Sequence, residues 1–181
     1  MRFTGSSEGN PVHLVINASE IGRHRGGNET YIRGLLKGLA ELHESPKVTA
    51  LTCQTGQSLS SLPSLAQWNL GTYRLLPFWL WQQTLALRQL QAEWYLSNYY
   101  LPPVLPCHSA VVVHDVSFRV LPEFYPTHVA LYMRYLVGWS TRRADLVVTV
   151  SEFSRQELIR CYNLSAEKIA VVPNGIADRF H

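Results

Sequence analysis

At 181 residues, with 46% apolar and 16% charged residues, the chain is long enough for one well-buried α/β core, short for two complete domains, and too apolar for a disordered protein. Its formal charge of +3 is too small to point to nucleic acid, yet it suits a phosphate-bearing ligand or an anionic membrane surface. Cys53, Cys107 and Cys161 are far apart and odd in number, which fits neither a disulfide framework nor a zinc ribbon. No apolar run approaches the roughly 18 residues of a bilayer span, and no secretory leader follows Arg2, so the expectation is a soluble, cytoplasmic protein.

Met1 to Pro11 reads as a disordered tail, residues 12–172 as one Rossmann-like domain, and residues 173–181 as chain leaving the sheet. Val12–Ser19 is a buried strand running into a loop with three glycines, Gly22, Gly26 and Gly27. From Asn28 the apolar residues Ile32, Leu35, Leu36, Leu39 and Leu42 recur at helical spacing. Strand, glycine loop and helix follow in the order that builds an anion site, where backbone N–H groups and the helix dipole face a phosphate. Gly22 and Gly27 have P-loop spacing, but Asn28 stands where the lysine belongs, which disfavours nucleotide hydrolysis of that kind. Loop glycines serving only as turns are the alternative.

Lys47–Cys53 is a second strand, and a weaker third lies near Thr72–Leu76. Pro77–Leu90 is a helix whose aromatic start, Phe78, Trp79 and Trp81, either packs on the core or docks on a membrane surface. Glu93–Ser97 is a short strand, followed by a proline-stiffened loop beginning Asn98-Tyr99-Tyr100. An amide beside two phenols suits sugar binding, and ordinary loop packing accounts for them as well.

The centre of the sequence is Ala110–Ser117, a β-branched apolar run ending in His114 and Asp115. It reads as a parallel strand buried on both faces, whose C-terminal edge opens into a crevice. Pro126 opens a long helix with Val129, Tyr132, Met133, Leu136 and Val137 on a core-facing stripe. Asp145–Val150 is a strand, Ser151 and Ser154 cap the helix after it or face a ligand there, and Lys168–Val172 is the last strand. The alternation defines an α/β, three-layer, Rossmann-like domain with a mostly parallel sheet. A serine hydrolase using Ser151, His114 and Asp115 is disfavoured, because no G-x-S-x-G elbow is present.

Six marks in order carry a family resemblance: Gly26–Tyr31, Phe78–Gln83, Ser97–Pro102, Val113–Phe118, Val150–Arg155 and Val172–Ile176. On these the chain resembles the N-terminal, acceptor-side half of a GT-B glycosyltransferase of the retaining family 4 type. The resemblance implies transfer of a hexose from a nucleotide diphospho-sugar to a hydroxyl acceptor, glycan or lipid-linked, with no metal and no separate cofactor. It assigns Gly26, Gly27 and Asn28 to the donor diphosphate and His114 and Asp115 to the reacting centre, and the sugar-suited Asn98, Tyr99 and Tyr100 are then the expected acceptor contacts. In the family the rest of the donor site belongs to a C-terminal domain. Residues 173–181 are therefore expected to begin the interdomain linker, and the chain alone is expected to be inactive, needing that domain in cis or in trans. A peripheral contact with the inner face of a membrane, and a non-catalytic carbohydrate- or lipid-binding module, are the readings kept beside it.

Overall fold

The computed structural model describes residues 11–22, 27–43, 46–53, 65–71 and 76–175, the side chains of 76–78 apart. Seven strands, β1 (His13–Asn17), β2 (Lys47–Thr52), β3 (Ala66–Asn69), β4 (Trp94–Asn98), β5 (His108–Val112), β6 (Leu146–Thr149) and β7 (Ile169–Val171), form a sheet in the order β3-β2-β1-β4-β5-β6-β7. This is an α/β Rossmann-like fold, with β1–β2, β2–β3, β5–β6 and β6–β7 all pairing in parallel. The chain divides into two compact units, Met1–Tyr95 and Leu96–His181.

In the first unit β1 lies in register with β2, from His13 opposite Lys47 to Asn17 opposite Leu51, and β2 continues against β3. Val15 and Ile16 are fully buried, as are Ile32 and Leu36 on helix α1 (Gly27–Ala40). The expected stripe stops short of Leu42, which lies beyond the end of α1 and is exposed. His13 is buried, with Nε2 2.9 Å from Thr49 Oγ1, and burial lowers its pKa, as Lys47 does. The third strand is Ala66–Asn69; the expected position near Thr72 falls outside the described residues up to Leu76, which opens helix α2 (Leu76–Gln89). In α2, Trp79 is only 5% exposed, so the aromatic start does not face a membrane as a block; Trp81, at 50%, does face solvent.

In the second unit β5, β6 and β7 are short runs whose inward residues, Val111, Val112 and Val147 among them, are fully buried. The stretch after Asp115, which carries no helical periodicity, contains a one-turn helix α3 (Ser117–Val120) and a 3-10 turn at Pro122–Phe124. Helix α4 (Thr127–Arg143) follows Pro126, and helix α5 (Glu152–Tyr162) ends in Asn163, which takes the left-handed conformation at φ 53°. The stripe expected to face the core from α4 does so fully only at Val137, whereas Tyr132 is exposed.

α4 and α5 approach closely at Gly138: a Cβ there would lie 2.8 Å from Tyr162 Cε1 and 2.9 Å from its Cδ1. The Tyr162 ring is buried, and the Arg119 guanidinium lies 4.9 Å from its centroid, so it has little room to retreat. Gly138→Ala is therefore expected to destabilise the chain by about 1–3 kcal/mol, despite alanine's better helix propensity, read as a lowered urea midpoint.

Candidate functional site

The first unit supplies the glycine loop. β1 ends in an Asx turn, with Ser19 N–H donating to Asn17 Oδ1 at 3.1 Å, and Gly22 follows at φ 85°, a conformation that glycine adopts without strain. Glu29, in the first turn of α1, reaches back to accept the Gly22 N–H at 3.1 Å and is held from the other side by Arg33 at 2.9 Å. This ties Gly22 to the first turn of α1. At Gly27 a Cβ would meet nothing within 4 Å, and its φ is not positive, so neither packing nor backbone geometry demands glycine there. Asn28 takes the next position of α1, and Gly26 lies outside the described residues.

The second unit holds the remaining candidates. β5 makes a further ladder bond at Val113, whose N–H donates to Val148 O at 2.9 Å. Beyond that point hydroxyls take over: Thr149 Oγ1 donates to Val113 O at 2.7 Å, and Ser154 Oγ to His114 O at 2.9 Å. Ser151 is the N-cap of α5, accepting the Ser154 N–H at 3.1 Å, and its hydroxyl donates to Ser154 Oγ at 3.0 Å. Ser151 is thus the cap, and Ser154, in the first turn of the helix, fixes the backbone of His114. Thr149 adds a functional residue that sequence reasoning does not single out; its polar side chain at the end of an apolar strand is the available signal.

Of Asn98, Tyr99 and Tyr100, Tyr99 approaches the same loop. Tyr99 is in the left-handed region at φ 60°, with its N–H donating to Val112 O at 2.9 Å. Its ring lies 6.0 Å from the His114 imidazole. Burial raises the Tyr99 pKa well above the ordinary phenol value, and the Asp115 charge adds to this, so the phenol stays protonated. Tyr100 turns to Tyr132 of α4, with ring centroids 5.6 Å apart. Asn98 has both carboxamide atoms buried and without a hydrogen-bond partner among the described residues. Each such atom costs about 1–3 kcal/mol unless something satisfies it.

Asp115 is exposed, and its Oδ1 accepts the Ser117 N–H at 2.8 Å and the Ser117 hydroxyl, starting α3. Its charge favours protonation of His114, but burial of the imidazole outweighs it and leaves the His114 pKa below 6.5. His114 is therefore neutral near pH 7, able to hydrogen-bond a hydroxyl without presenting a full positive charge.

The chain belongs to glycosyltransferase family 4: the model of Glycosyltransferase Family 4 matches residues 25–180. It is 26% identical over 180 residues to the O-antigen chain mannosyltransferase RfbU of Salmonella typhimurium (strain LT2), covering 90% of this chain and 49% of the relative. It is 39% identical over 72 residues to the O-antigen chain mannosyltransferase B of Escherichia coli, covering 40% of this chain and 19% of that protein. Among solved structures, the apo form of the lipopolysaccharide outer core galactosyltransferase WaaB superposes with a TM-score of 0.54 at 12% identity, over 91% of this chain and 46% of that one. The fold is thus one half of a GT-B fold, and the chain spans about half the length of the Salmonella relative. Among the described residues no helix is long and apolar enough to cross a membrane.

Two measurements check this site. An imidazole that is harder to protonate folded than unfolded adds stability above the unfolded pKa of 6.5 and loses it as pH falls below that value; His13 acts in the same direction. The urea midpoint is therefore expected to fall between about pH 7 and about pH 5, less steeply in His114→Gln, with the His114 ring carbons titrating below 6.5 by NMR. Gly27→Ala is expected to leave the melting temperature unchanged or to raise stability by up to about 1 kcal/mol.

Proposed function

We propose that this chain is the acceptor-side half of a retaining glycosyltransferase that moves a hexose from a nucleotide diphospho-sugar to a hydroxyl of a glycan or lipid-linked acceptor. The observation that carries the reading beyond family membership is the Asn98 carboxamide, buried with both polar atoms unpartnered among the described residues in the same unit as His114. An acceptor hydroxyl satisfies such a group, because it both donates and accepts. The printed names of two curated relatives, both O-antigen chain mannosyltransferases, support a hexose, with mannose the first to try, and a surface-polysaccharide acceptor.

In this reading the bond from the sugar's anomeric carbon to the diphosphate breaks, and the nucleoside diphosphate leaves with the electron pair. The acceptor oxygen bonds to that carbon on the same face and gives up its proton to the departing diphosphate oxygen. Backbone N–H groups at Gly27 and Asn28, with those of Gly26, stabilise the charge growing on the diphosphate. Neutral His114 hydrogen-bonds the donor sugar next to the reacting carbon, and Asn98 orients the acceptor. Tyr99, Ser154 and Thr149 hold His114, while Asp115 and Ser151 act through the helices they start. The remainder of the donor site comes from a C-terminal domain, so the chain alone is expected to show no turnover. On this reading the protein works in the cytoplasm, where nucleotide sugars are made.

The test supplies a family C-terminal domain in trans, with GDP-mannose and a lipid-linked glycan acceptor. Transfer is expected only with both halves present, to fall at least about a hundredfold in His114→Ala, and to fall about tenfold or more in Asn98→Ala through a raised acceptor KM. Transfer by the chain alone, or tight nucleotide-selective donor binding without the second half, would overturn the division of labour.

A further inference from the structure

We infer that the tyrosines leading away from His114, across the loop after β4 and onto α4, form a track on which successive sugar units of an extended, neutral glycan acceptor stack, with Tyr132 and Tyr135 as its outer contacts. The inference rests on the transfer reading above and deepens it, because it makes the acceptor an oligosaccharide held at several units rather than a single sugar.

The rings are continuous. Centroid to centroid, the Tyr99 ring lies 6.0 Å from the His114 imidazole, the Tyr100 ring 6.2 Å from that of Tyr99, and the Tyr132 ring 5.6 Å from that of Tyr100. Tyr135 stands three residues beyond Tyr132 on α4, so the two are neighbours on the helix surface. Exposure rises along the same path: Tyr99 and Tyr100 are half-buried, Tyr132 is 37% exposed and Tyr135 73%. A path that starts beside His114 and opens to solvent suits a chain that reacts at one end while the rest stays outside.

Backbone bonds hold the inner part of the track. The Tyr99 N–H donates to Val112 O at 2.9 Å, and the Leu101 N–H donates to the buried Ser140 Oγ at 3.0 Å. The segment carrying Tyr99 and Tyr100 is thereby fixed both to the strand that leads to His114 and to the helix that bears Tyr132, which cuts the ordering cost of binding. Core packing does not account for the outer tyrosines, because the inward side of α4 is committed through Ala130, Val137 and Thr141.

The side-chain chemistry selects the ligand. Each tyrosine offers an apolar ring face for the C–H groups of a pyranose and a hydroxyl that both donates and accepts. With only two side-chain torsions, it also loses little freedom when it orders against a ligand. A hydrocarbon chain would use the ring faces alone, whereas a sugar uses face and hydroxyl together.

The experiment titrates the full 181-residue chain, without donor or second domain, with methyl glycosides and the corresponding linear tetrasaccharides of mannose, glucose and galactose, read by NMR. At least one tetrasaccharide is expected to bind about tenfold or more tighter than its methyl glycoside. Tyr132→Ala is expected to remove most of that advantage, Tyr135→Ala to remove a smaller part, and Tyr132→Phe, which keeps the ring, to retain most of it. In each variant the circular-dichroism melt and the methyl glycoside affinity are expected to stay unchanged. Equal binding of both lengths in every series, or an advantage untouched by Tyr132→Ala, would overturn the inference. So would a gain of a lipid-linked tetrasaccharide over the free one that Tyr132→Ala abolishes, since the occupant would then be the lipid. The transfer reading fails separately: length-dependent binding with no transfer by the two halves together removes that reading and leaves the track, whereas transfer indifferent to acceptor length and to Tyr132→Ala removes the track alone.

Discussion

A parallel strand that ends at a ligand-facing edge has a problem of its own making: the loop that carries the functional side chain has left the ladder, and its carbonyls need donors from elsewhere. β5 meets this constraint with hydroxyl groups. Thr149 takes the carbonyl of Val113 and Ser154 takes that of His114, while Ser154 is itself fixed by the cap of α5. Tyr99 closes the arrangement from the other side, through its backbone bond to Val112 and its ring 6.0 Å from the imidazole. The loop bearing the imidazole is thus held by β6, α5 and the turn at Tyr99, and its position survives only while all of them are folded.

The electrostatics follow from the same packing. Because burial of His114 outweighs the neighbouring carboxylate, the site is offered a neutral hydrogen-bonding group rather than a cation. In the first unit a carboxylate has a structural role, since Glu29 pins Gly22 to α1 and is partly neutralised by Arg33. The charged side chains Glu29 and Asp115 at these loops therefore serve mainly to set conformation.

Much of this is legible in the sequence, for reasons that also mark the limits. Val12–Ser19, Ala110–Val113 and Asp145–Val150 read as strands because a strand buried on both faces needs an unbroken β-branched run, and His114 and Asp115 stand where such a run breaks. β3 lies earlier than sequence reading expects because Ala66–Asn69 is a largely exposed edge with no apolar run. α3 escapes detection because a single turn started by Asp115 has no periodicity. On α4, apolar residues lie on more than one face, so spacing alone does not tell the core side from the solvent side, and Tyr132 falls on the solvent side against expectation. The bonds that seat His114 join residues 36 and 40 positions apart, which no local pattern encodes.

Tyr99 carries a consequence of a different kind. An L-residue in the left-handed region sits about 1–2 kcal/mol above its preferred backbone, a penalty that glycine would avoid. A phenol retained at such a position must return more than that through its ring and hydroxyl. A glycine placed there would relax the main chain and at the same time leave the neighbouring imidazole without its wall, so local comfort and a well-ordered His114 are opposed at this one residue.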